Sequence, residues 1–207
     1  MDEEMETDMY KKQMILQRVV CYLGLVAAAL VFIYSLGLMT GLYENGFAYY
    51  AEAYYKDNTV TPQFAGTEVY YKMQSFNQDL TSAGIVMILL AVAQFVFRNH
   101  LRRKYYIANY ITVVANTIGS VAISVWALNN ILSYKAQYLL VDFTNEKLLM
   151  YSELFKYNAE PNVFWFDISK VVFGFVFAVT VLNVLNLIFK VIVMNAEKKL
   201  LKESKEV

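Results

Sequence analysis

The chain carries one histidine, His100, and one cysteine, Cys21. Haem ligation by paired histidines and zinc sites built from His and Cys clusters need more ligands than these. The sequence holds no Walker A loop and no G-x-S-x-G nucleophile elbow. Asp79 and Asp167 are acids near membrane depth, both at outer ends of apolar stretches. Asp167 and Lys170 stand one helical turn apart and are expected to pair, an interaction worth about 0–1 kcal/mol at an exposed site. Cys21 reads as a small buried side chain ahead of a lipidation site. No catalytic residue, metal ligand or cofactor is expected, and the chain does not read as an enzyme.

The chemistry that remains is neutral polarity. Asn109, Thr112, Asn116, Ser120 and Ser124 follow at spacings of three, four, four and four. At about 100° per residue they fall within an arc of about 120° on one helix. Asn183, Asn186 and Lys190 share one side of a later helix, and Gln94 lies on another. Two readings stand. Amides and small hydroxyl residues hold membrane helices together by hydrogen bonds and close approach. The same residues suit the lining of a pore or ligand cavity.

These residues need long apolar elements to position them. Residues of the apolar set make up 58% of the 207, with 17 Tyr and 14 Phe. Soluble domains carry about 45–50% on a count that includes Gly. Four charge-free stretches approach or exceed the roughly 20 residues that a bilayer span requires. They are residues 19–42, 80–97, 105–132 and 171–189. A helix at the surface of a soluble protein would interrupt such runs with charges every third or fourth residue. The expected fold is all-α, a polytopic four-transmembrane-helix bundle and a single domain overall.

Orientation follows from Lys and Arg. Residues 1–18, 98–104 and 190–207 hold 12 basic residues; residues 43–79 and 133–170 hold 6. The first set is therefore placed in the cytoplasm, as two tails and a turn. Arg98, Arg102, Arg103 and Lys104 crowd that turn and are read as its topology determinants. Both termini are then cytoplasmic, the membrane is the cell (plasma) membrane, and the first helix is a retained signal anchor. Net charge is zero, which argues against nucleic acid as a partner.

The outer loops, 43–79 and 133–170, are too long for plain connectors. A short helix is expected near Gly46–Tyr55. Thr67 can cap a helix that carries Val69, Met73, Phe76 and Leu80 on one stripe into the second span. Helix three is expected to run outward until Asp142. Thr144 then offers a cap, and Leu148, Tyr151 and Phe155 form another stripe, ended by Pro161. The bundle would rise into a small Tyr-rich extracytoplasmic helical cap.

These features favour a non-catalytic accessory or scaffolding subunit of a larger membrane complex, of transport or secretion type. Its partners would be the lipid bilayer and other membrane protein subunits or copies of itself, met through polar helix faces and the outer cap. The alternative is a small homo-oligomeric channel whose path is lined by the Asn/Ser/Thr face of helix three. A coupled carrier usually keeps an acid inside the bundle, and the four charge-free stretches contain none.

Overall fold

The computed structural model describes residues 2–44, 68–98, 103–146, 149 and 161–203. The expected helix near Gly46–Tyr55, the Thr67 cap, the stripe of Leu148, Tyr151 and Phe155, and His100 and Arg102 lie outside the described residues.

Four helices account for nearly all of the described chain. They are α1 (Asp2–Glu44), α2 (Glu68–Val96), α3 (Arg103–Tyr138) and α4 (Phe164–Glu203). Each contains a span apolar and long enough to cross a membrane: Asp8–Leu38, Lys72–Val96, Ile107–Tyr138 and Phe164–Ala196. The shortest has 25 residues, against the roughly 20 required. The protein is thus an all-helical, multi-pass membrane protein.

Each helix runs past the charge-free stretch within it. α1 begins at Asp2, well before Val19, and α4 continues through Lys190 to Glu203. Uninterrupted strong helix formers such as Glu, Met, Lys and Gln carry both ends outward. α2 starts at Glu68, as the stripe from Val69 predicts, and Val69, Met73, Phe76 and Leu80 are all buried.

The ends have local causes. Gln17 Nε2 donates to the Arg98 carbonyl at 2.8 Å, satisfying a backbone acceptor just past the end of α2. α3 closes in successive turns, with Leu139 and Val141 amides donating to the Lys135 and Tyr138 carbonyls. Thr144 donates its amide (3.0 Å) and its hydroxyl (2.6 Å) to Asp142 Oδ1, so at this turn Asp142 is the acceptor. Those two bonds hold the Asp142 carboxyl below its ordinary pKa. At the start of α4, Asn162 Oδ1 accepts the Phe164 amide at 3.0 Å.

The chain packs as two compact units, each with segments of all four helices. The first comprises Met1–Ala29, Val86–Ala122 and Phe175–Val207; the second comprises Leu30–Ile85 and Ile123–Gly174. Both present apolar side chains outward and bury polar ones. In the first, Ile111 and Ile118 of α3 are more than 60% exposed, while Asn109, Asn116 and Ser120 of the same helix are buried. In the second, Ile33, Val171 and Phe164 face outward while Ser35 and Ser169 are buried. Lipid removes the penalty on exposed apolar surface and raises the cost of exposed amides, so this arrangement suits a bilayer.

Candidate functional site

The first unit gathers most of the polar residues singled out above. Asn116 Nδ2 donates to Gln94 Oε1 at 2.7 Å, and Gln94 Nε2 donates to Asn183 Oδ1 at 2.7 Å. Asn183 Nδ2 donates to Thr117 Oγ1 at 2.9 Å. Ser120 joins the edge of this chain with a long 3.5 Å bond to Asn116 Oδ1. Helices α2, α3 and α4 are therefore tied by one run of amides with Gln94 at its centre. An amide both donates and accepts, so each member passes the chain on and keeps a partner for both functions.

Beside this run, α1 enters through two glutamines. Gln13 Nε2 donates to Gln17 Oε1 at 2.9 Å and to Asn186 Oδ1 at 3.3 Å. Both glutamines are buried. Sequence reasoning places them in a solvated tail, because their neighbours Lys11, Lys12 and Arg18 are charged. Their spacing of four aligns them with Val20 and Cys21 on one face, but it does not give their depth.

Lys190 is the largest departure. It reads in sequence as the charge that ends helix four. In the structure it is 1% exposed, inside the apolar span Phe164–Ala196. Its amine donates to Asn109 Oδ1 and lies 4.8 Å from the centre of the Tyr110 ring. The charge-free spans in the sequence thus do not describe the whole interior, which includes Lys190. A spacing of seven from Asn183 and four from Asn186 puts Lys190 on the polar side of α4, and that was visible. Its burial was not, because a terminal lysine ordinarily extends to the interface.

The remaining candidates are placed as follows. Thr112 is half-buried and donates to the Asn109 carbonyl at 3.0 Å, within its own helix. Ser124 is buried in the second unit, apart from the amide run. Arg98 lies just beyond α2, and Arg103 begins α3 with Lys104 beside it. Cys21 is buried, its thiol 3.9 Å from the Gln94 carbonyl oxygen.

Between the helices of the first unit lies a cavity of about 10 Å³, bordered by Gly24, Asn116, Ser120, Thr180 and Asn183 among others. That is about the space that one water needs. Among the described residues no group of three or more His, Cys, Asp or Glu is placed to hold a metal ion.

The second unit is built differently. Among its described residues, Tyr34 donates to the Trp165 carbonyl at 2.8 Å, and Thr81 donates to Ser35 Oγ at 3.1 Å. Rings fill its interior. Tyr138 meets Tyr70, Phe143 and Phe166 with centroids 5.3–5.9 Å apart, and Phe76 packs between Trp126 and Tyr134. Burial, with the Tyr138 hydroxyl beside it, holds the Tyr70 phenol far above its ordinary pKa. The expected Asp167–Lys170 pair forms at 3.2 Å, and Lys135 adds a closer, two-oxygen contact at 2.7 and 2.8 Å. Gly37 on α1 is where the Trp165 indole packs: a Cβ there would collide with the ring.

No protein-family model, curated protein sequence or solved structure matches the chain.

Proposed function

We propose that the protein is a non-catalytic accessory or scaffolding subunit of a larger membrane complex, of transport or secretion type. The observation that carries this reading is the closed amide run of the first unit. Gln94, Asn116 and Asn183 bond to one another and to Thr117 and Ser120, around a cavity with space for about one water. Such an interior serves to hold helices in register. Partner contacts then fall to the outward faces of the helices and to the segments joining α1 to α2 and α3 to α4. Those segments, rich in Tyr, suit an interface because the ring buries much area at low entropic cost.

The expected partner contact through polar helix faces changes accordingly. The polar sides of α3 and α4 in the first unit turn inward, and Asn116, Thr117 and Asn183 bond within the chain, while the buried Asn109 and Asn186 Nδ2 groups have no hydrogen-bond partner among the described residues. The channel alternative, with Asn109, Asn116 and Ser120 lining a path shared between copies, draws less support for the same reason. In this reading the protein lies in the cell membrane with both termini cytoplasmic, on the strength of the Lys/Arg asymmetry. The aromatic second unit continues into an extracytoplasmic cap.

Native mass spectrometry of the complex extracted from its own membrane in mild detergent tests the proposal. Stoichiometric foreign subunits are expected. A closed ring of identical chains would replace this reading with the channel.

A further inference from the structure

Met14, Gln17 and Arg18 of α1 and Arg98, just past the end of α2, line a small notch in the first unit. The Gln17 amide holds the Arg98 carbonyl, which fixes the turn against α1. The Arg98 guanidinium lies 3.9 Å over the centre of the Phe95 ring, which sets its plane. Its Nη1 is buried and has no hydrogen-bond partner. The guanidinium also lines the notch, and phosphate oxygens are among the best acceptors for its planar fork. Arg18 brings a second permanent charge to the same notch and is exposed. Ile15 and Tyr22 stand three before and four after Arg18 on the same side of α1, and Tyr22 packs on the Phe95 ring beneath Arg98 at 5.4 Å; both are exposed, as is Val96 near the end of α2.

A fixed cationic notch bordered by an apolar wall matches a molecule with an anionic phosphate head and hydrocarbon tails. We propose that this notch binds the phosphodiester headgroup of an anionic membrane phospholipid, with Arg98 and Arg18 on the phosphate and the acyl chains along Ile15, Tyr22 and Val96. Basic pockets between membrane helices bind anionic headgroups by this chemistry.

The test uses the full chain in detergent, with bound lipid counted by native mass spectrometry. Phosphatidylglycerol, phosphatidylcholine of the same acyl chains, and inorganic phosphate are the probes. Phosphatidylglycerol is expected to be retained over phosphatidylcholine by about tenfold, and Arg98→Gln to remove that preference. Arg18→Gln changes an exposed side chain and is expected to reduce the preference several-fold, so the test survives if Arg98→Gln fails to fold. Equal retention of the two lipids by the unaltered chain would overturn the proposal. So would an undiminished preference in Arg18→Gln, or displacement of the lipid by equimolar inorganic phosphate, which would identify a free-anion site.

Discussion

The two units solve the same problem with different chemistry. In the first, helices are joined by side-chain amides, with Gln94 binding α3 and α4 at once. In the second they are joined by rings, with Tyr138 and Phe76 each at the centre of an aromatic group. Burial of apolar surface contributes little between helices surrounded by hydrocarbon, so association there depends on hydrogen bonds and close packing. The first unit relies on the former and the second on the latter. Each should therefore fail in its own way: the amide interior to loss of a partner, the aromatic interior to added volume.

The largest effect is expected at Gln94. Gln94→Leu deletes two short bonds and leaves Asn116 and Asn183 each short of a partner. The expected cost is about 3 kcal/mol, read from SDS-induced unfolding in mixed micelles. A change under about 0.5 kcal/mol would show that the amides do not carry the first unit.

Gly37→Ala is the matching probe of the second unit. Its Cβ meets the Trp165 ring, so the indole must shift, at an expected cost of about 2 kcal/mol in the same assay. Pairing it with Trp165→Leu sharpens the point, since the smaller side chain should remove most of the penalty. Persistence of the full penalty in the double variant would place the strain elsewhere.

Lys135→Gln is expected to cost about 0.5 kcal/mol, because its contact with Asp167 is partly exposed and Lys170 remains as a second cation. The smallest effect concerns acid. The Asp142 carboxyl titrates below its ordinary value, so its contribution is present above the usual carboxylate range and is lost as pH falls through the folded value. Thr144→Val removes the hydroxyl donor and should move the Asp142 titration, followed by carboxyl NMR, back toward the ordinary value.

The four helices were legible because charge-free runs of this length rarely occur outside a bilayer span. The α3 stripe was legible from periodicity: spacings of three and four placed Asn109, Asn116 and Ser120 on one face, and they are buried together. What could not be read is depth. Gln13, Gln17 and Lys190 sit among charged neighbours, and only the packing of α1 against Asn186 and of α4 against Asn109 shows that they face inward. Lys135 as the principal partner of Asp167 was equally out of reach, because the pair is 32 residues apart in sequence.

The central claim is that the amide face of α3 packs within one chain and lines no water path. Thiol labelling of Ser120→Cys tests it directly. The only native cysteine, buried Cys21, would be replaced by Ala, and a water-soluble methanethiosulfonate would be applied to the protein in its membrane. The account predicts no modification at position 120 until the protein is unfolded with SDS. Rapid modification in the native membrane would contradict it and would place water along α3.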